Sequence, residues 1–274
     1  MCRFRLNSQL ASAATLRLSA VGLALSLAAC VAPIPIKDQA PKVSYSVSEK
    51  VALAVIDSRP ILKADKKPAT FIGRAHSVFG IPTDMHIYPW VALKEEKNFT
   101  LAQELEQRIA EALQATGANV VRVEAGARVD AASAKRAAQG LDVDRILLIT
   151  VDEWFVDVNL NWVGSFDFDW GYTVEICDRA GTQMAMFKDS GQDVVKEKGS
   201  DSPRNMITAA YRARLEKLMD RPEVRSGLLI SAKVARGGDG DLAEDPSAQA
   251  APQFFPVRAY GPRPETSAPN TARI

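Results

Sequence analysis

Two histidines, one cysteine in the body of the chain and a series of carboxylates on adjoining segments are the side chains best equipped for chemistry. The carboxylates are Asp152, Glu153, Asp157, Asp167, Asp169 and Glu175. Strand alternation puts Asp167 and Asp169 on one side of the same strand, and a hairpin can bring Asp157 across from them. Asp157, Asp167 and Asp169 are therefore the metal candidates, as oxygen ligands of the kind Ca²⁺ takes or as an acid/base pair. The plainer reading, a solvated outer face of an antiparallel sheet, is favoured because acids opposite an apolar face are the ordinary pattern. His76 and His86 invite zinc, but they stand ten residues apart with Asp84 as the only nearby carboxylate, and two histidines without a third ligand make a poor site. Ordinary loop histidines are the better reading. Cys177 follows the polar-face register with no His or Lys adjacent in sequence to lower its pKa, so it reads as packed under a neighbouring element rather than as a reactive thiol. The chain has no Gly-x-Ser-x-Gly, no Gly-x4-Gly-Lys-Ser/Thr, no His-Glu-x-x-His and no Cys-x-x-Cys. Most hydrolase mechanisms would lack their usual general base. No catalytic residue and no cofactor are expected.

The most specific motif is Leu27-Ala28-Ala29-Cys30. Arg3, Arg5 and Arg17 precede it, followed by an apolar run from Leu18 to Ala29 that is too short for the ~20 helical residues of a membrane span. This is the layout of a signal peptide. The motif resembles the bacterial lipoprotein lipobox, and the resemblance implies that the Cys30 thiol is acylated and becomes the mature N-terminus after residues 1–29 are removed. Small residues let the backbone lie extended in a peptidase groove, and a thiol accepts the diacylglyceryl group. One acyl chain gives marginal membrane residence at ~0.8 kcal/mol per buried methylene, so stable anchoring takes two signals. Lipoproteins of this kind carry two or three chains, palmitate among them. Val31 stands where retained inner-membrane lipoproteins of enteric bacteria carry Asp, which implies the periplasmic face of the outer membrane.

The lipobox fixes an address, and composition narrows what works there. Removing three arginines and no acid takes the net charge from +1 to −2, which gives no support to nucleic-acid binding. Cys2 leaves with the signal and Cys30 is expected to be lipidated, leaving Cys177 without a partner for an intramolecular disulfide. Stability must come from burial.

Val31 to Lys42 holds three prolines and no periodicity, and 30–46 is read as the lipidated N-terminus and a spacer. The globular domain is expected over 47–232. Val51–Ile56 is a continuous apolar run suited to a strand buried on both faces. Residues 62–98, with Gly73, Gly80, Pro82, Pro89 and both histidines, read as a long irregular loop, with Phe71, Phe79, Tyr88 and Trp90 as lids on the core. Thr100 and Gln103 form a capping box before Leu101, Leu105, Ile109 and Leu113, and Gly117 stops that helix. A short strand over Val120–Val123 and a helix from Asp130 to Gly140 follow. Ile146 to Val151 is another buried apolar run that continues as an alternating segment through Val158, and Phe166, Phe168, Trp170, Tyr172, Val174 and Ile176 alternate along the next strand. Asp178-Arg179-Ala180-Gly181 turns into a return strand over Thr182–Ser190. The last helix runs from Ser202-Pro203 to about Met219, with Ile207, Ala210, Tyr211, Leu215 and Leu218 as its stripe. Pro222 closes it, and Gly227–Ser231 is taken as a short final strand. Residues 233–274 are rich in Pro, Ala and Gly and are expected to be disordered. Gly237-Gly238-Asp239-Gly240-Asp241 is a single partial match to a calcium-binding repeat, and a flexible tail explains it better.

The expected fold class is α/β, a mixed sheet with helices packed on it in one periplasmic domain, in the order β-α-β-α-β-β-β-α. Behind a lipobox, this order resembles the periplasmic α/β domains of the CsgG, TolB N-terminal and YajG-like lipoproteins. The resemblance implies a non-enzymatic envelope protein, anchored to the membrane by its N-terminal lipid, that docks an envelope protein partner or associates with itself. The alternative is a periplasmic protein that binds a metal or ligand, with hydrolysis as one form of it, and uses the acidic hairpin or the His76/His86 loop.

Overall fold

The computed structural model describes residues 32–76, 80–123, 130–159, 165–196 and 202–229. The signal region, Cys30 and the tail 233–274 lie outside the described residues. Seven strands form one mixed sheet: β1 (Lys50–Asp57), β2 (Phe71–His76), β3 (Pro82–His86), β4 (Asn119–Arg122), β5 (Arg145–Asn159), β6 (Ser165–Asp178) and β7 (Gln183–Lys196). The helices are α1 (Pro60–Ala64), α2 (Ile87–Trp90), α3 (Leu101–Ala115), α4 (Ala131–Gln139), α5 (Pro203–Met219) and α6 (Pro222–Leu228). The fold is an α/β mixed sheet with helices packed on it.

β5 is the axis of the sheet. Its first half pairs parallel with β1, from Val51↔Arg145 to Asp57↔Val151, and β1 continues parallel into β4. Along its whole length β5 pairs antiparallel with β6, which pairs antiparallel with β7. A bulge between Val151 and Glu153 keeps the apolar residues on one face in spite of a change of register parity. Leu147, Ile149 and Val151 face the main core before it, and Trp154, Val156 and Val158 after it.

Helices cover the two faces unequally. On the main-core side, Leu101, Leu105, Ile109 and Leu113 of α3, Ile207, Tyr211, Leu215 and Leu218 of α5, and Val224 and Leu228 of α6 are all buried. Each such side chain contributes ~1.5–3 kcal/mol of transfer free energy. The Thr100–Gln103 capping box forms as its spacing predicts, with Gln103 N–H donating to Thr100 Oγ1. On the other face, α4 seals a smaller cluster of Ala52, Ala54, Ile56, Ile146, Leu148 and Cys177. Asp130 caps α4 by accepting from Ser133 N–H at 2.8 Å. Cys177 is packed beneath this helix, and burial pushes its thiol pKa up.

Two buried charge clusters fix the junctions. β1 and β2 lie end to end along the same edge of β5, leaving the Asp152–Phe155 stretch between them. Arg59 fills this break. Its Nη1 donates to Trp154 O at 3.0 Å, while Nε and Nη2 hold both oxygens of Asp57 at 2.8 Å. At α3, Arg108 donates to Glu104 at 2.9 Å and to Glu96 at 2.8 Å. Burial pushes the Glu104 carboxyl up to about 7, against the opposing pull of Arg108.

Four sequence expectations are corrected. The stretch 62–98 is not an irregular loop, since it contains the end of α1, the β2–β3 hairpin and α2. Gly73 marks a close approach there instead of a loop: its φ is +154°, and a Cβ would sit 1.9 Å from Val156 O. Phe71 is fully buried and Trp90 packs on the core, whereas Tyr88 is exposed; Phe79 lies outside the described residues. Second, residues 32–46 are not a free spacer. They run along α5, held by Asn205, Arg212, Glu216 and the carbonyl of Met219. Third, the return strand continues to Lys196, because Gln192, Val194 and Lys196 prolong the alternation past Gly191. Finally, 222–228 is the helix α6, opened by Pro222 in its first turn.

Candidate docking interface

The acidic hairpin is assembled as the alternation implies. Asp157 and Asp167 are direct cross-strand partners on β5 and β6, and His76 on β2 places Nε2 2.9 Å from Asp157 Oδ1. Asp169, two residues along, accepts from Gln192 Nε2 at 2.7 Å. His86 is not part of this group. His76 pairs with Pro82 at one end of the β2–β3 hairpin, and His86 pairs with Phe71 at the other, where its Nδ1 lies 3.1 Å from Thr70 Oγ1. The two histidines do not share a site. Among the described residues, no group of three or more His, Cys, Asp or Glu is arranged to hold a metal ion. Cys30 lies outside them.

The sequence did not mark the strongest surface feature, the free edge of β7. Among the described residues β7 pairs with β6 alone, so the peptide groups along its outer side lie open over 14 residues. The other two sheet edges are much shorter: β3 has 5 residues and opens on Pro82, and β4 has 4. Short strands and prolines are the ordinary protection of sheet edges. β7 contains no proline.

Its two faces differ in character. Ala185, Phe187 and Val195 pack on the main core, and the acids on the same face are tied to helices. Arg214 binds Asp193 at 2.5 Å and stacks 3.4 Å over the Trp170 ring, while Arg221 binds Asp189 at 2.7 Å and lies over Phe187. Gly191 makes this stack possible, because a Cβ there would come within 2.8 Å of Trp170 Cζ2. On the opposite face Met184, Met186 and Val194 are 51%, 56% and 59% exposed, interleaved with Lys188, which reaches Asp152 at 3.0 Å. Beside the edge, a groove of about 330 Å³ runs between Asp193–Lys196 and α5, floored by Ala209, Ala210 and Ala213. An added strand finds here unsatisfied backbone groups, a side-chain groove on one face and an apolar strip on the other. From sequence, the Met184/Met186 alternation on a strand's polar face was the available signal. That this strand forms an edge is a property of the topology.

No protein-family model matches the chain, and the comparison with curated proteins found no match. Several solved structures are similar to it in part, among them the following three. Protein XCC0632 from Xanthomonas campestris, of family DUF330, is 12% identical, with 68% of this chain and 91% of that one covered and a TM-score of 0.43. A PelC dodecamer from Paraburkholderia phytofirmans is 17% identical, with 66% and 94% covered and a TM-score of 0.32. Lipoprotein GNA1162 from Neisseria meningitidis is 12% identical, with 63% and 99% covered and a TM-score of 0.24.

Proposed function

We propose that this chain is a non-enzymatic lipoprotein of the bacterial envelope, anchored through acylated Cys30 on the periplasmic face of the outer membrane, that docks a protein partner along β7. The observation that carries the docking reading is the 14-residue open edge, flanked by exposed Met184, Met186 and Val194. The lipobox supports the address, and an element order like that of the CsgG, TolB N-terminal and YajG-like domains supports an assembly role. The partner contributes an extended segment of alternating apolar and polar residues, because strand addition draws affinity from the main chain and specificity from alternate side chains. Self-association through the same edge is the variant in which the partner is a second copy.

The test is crosslinking in intact cells followed by capture of the lipidated protein, with Cys30→Ala as the unanchored control and Gln192→Pro as the edge control. Proline in an edge strand removes a donor and blocks pairing. A partner recovered with the parent chain and lost with Gln192→Pro is the expected result. Equal recovery with Gln192→Pro would remove the β7 docking reading. A Cys30→Ala protein that still fractionates with the membrane would remove the lipid anchor.

A further inference from the structure

We infer that the domain stands on the bilayer by the end of the sheet where β5 and β7 finish and α5 begins. This inference rests on the Cys30 anchor proposed above and adds an orientation to it. The key contact is a clamp at the start of α5. Asn205 Nδ2 donates to Ala32 O at 2.9 Å, and Ile34 N–H donates to Asn205 Oδ1 at 3.1 Å. Asn205 is buried, and the strand-like pairing of its amide with residues 32–46, a strap laid along α5, continues into further ties. Gln39 Nε2 donates to Ile34 O, Arg212 to Asp38 O, and Tyr45 Oη to Met219 O. The strap therefore follows α5 from its first turn to its last, and its upstream end is at the first turn. Cys30 is two residues before Ala32, a reach of at most ~7 Å. The proposed anchor is thus joined to the clamped Ala32 by no more than this short length of chain.

The strand register identifies what else lies at this end. Arg214 meets Asp193 and Arg221 meets Asp189, so α5 runs antiparallel to β7 and starts beyond Lys196. Lys196 is opposite Ser165 on β6, Phe166 is opposite Val158 on β5, and His76 on β2 is level with Asn159. Pro82 pairs with His76, which brings Ile81, 61% exposed, to the same end as the clamp. The occupant of this end face is the headgroup layer of the bilayer, because the anchoring chain leaves too little length for anything larger to intervene. The Asp178–Gly181 turn is at the opposite end of β6, 13 residues or ~40 Å away, and projects into the periplasm.

The test uses the full lipidated protein in phospholipid vesicles carrying a headgroup-depth quencher, with a fluorophore placed through Ile81→Cys in one sample and Ala180→Cys in another. Cys177 is buried, so labelling is confined to the introduced thiols. The expected result is several-fold stronger quenching at position 81 than at position 180, with the reverse order for a water-soluble quencher. Protein that floats with the vesicles yet shows equal quenching at both positions would overturn the orientation. Protein that does not float would remove the lipid anchor and leave no bilayer for the domain to stand on, which overturns both readings.

Discussion

The half of the sheet built on β1 and the first half of β5 differs sharply from the wing formed by β6 and β7. Every residue of β1 after Lys50 is buried, because α3 lies on one side and α4 on the other. Apart from the Cys177 end of β6, which α4 reaches, the wing is covered on one face only. Along β7 no residue is fully buried, and its outer edge is open. Stability is therefore concentrated in the first half, while the wing can carry a binding surface at little structural cost. The long strands β5 and β6 belong to both, so a partner added at β7 is coupled to a rigid support.

The largest effect expected from this contrast is in the core. Leu53 on β1 is fully buried in the main core, so Leu53→Ala should cost ~2–5 kcal/mol in a denaturant titration. Arg59→Ala should cost a similar ~3–5 kcal/mol, because it leaves Asp57 buried without its partner. A loss below 1 kcal/mol for either would show that the double-covered half is not where stability resides.

The pH dependence of stability sharpens the same point through Glu104. Its folded carboxyl titrates near 7 because burial disfavours the charged form, above the ordinary carboxylate range of the unfolded chain. The folded state therefore holds this proton more tightly. The contribution is full below about pH 4.5, falls as pH rises toward 7 and is gone above it, an effect on the order of 3 kcal/mol. Denaturant midpoints measured from pH 4 to 8 should show this fall, and Glu104→Gln should flatten it. An unchanged slope in that variant would assign the dependence to another group.

Within the wing the effects should be smaller. Gly191→Ala must displace the Trp170 ring and the Arg214 stack on it, for ~1–3 kcal/mol. The double substitution Met186→Lys, Val194→Lys falls on exposed positions and should change stability by no more than ~0.5 kcal/mol per site, while removing the apolar strip that docking uses. A large loss of stability there would mean that the wing is structural and the comparison fails.

What was legible in the sequence follows the length scale of each signal. VALAVI, the Thr100 capping box, the Phe166–Ile176 alternation and the Ser202-Pro203 start each encode their element within one local stretch, and each formed. β2 and β3 were hidden because they are short, and because Gly73 and Pro82 look like loop residues when the strand beside them is unknown. The strap was hidden for a related reason. Three prolines suggest a spacer, while the groups that hold it, from Asn205 to Met219, are some 170 residues downstream. Alternation was sufficient to put Asp157 opposite Asp167, but not to show His76 beside them, since that contact depends on β2 joining the far half of β5. The open edge of β7 was invisible for the same reason: only the complete strand order shows which strand is last.

The measurement that tests the docking claim most directly is site-specific photocrosslinking in living cells, with the photoreactive residue at Gln192 on the β7 edge, at Asn119 on the β4 edge, or at Thr83 on β3. The account predicts a discrete adduct from position 192 and none from 119 or 83. Adducts of equal yield from all three edges, or none from position 192 while another position reacts, would contradict it.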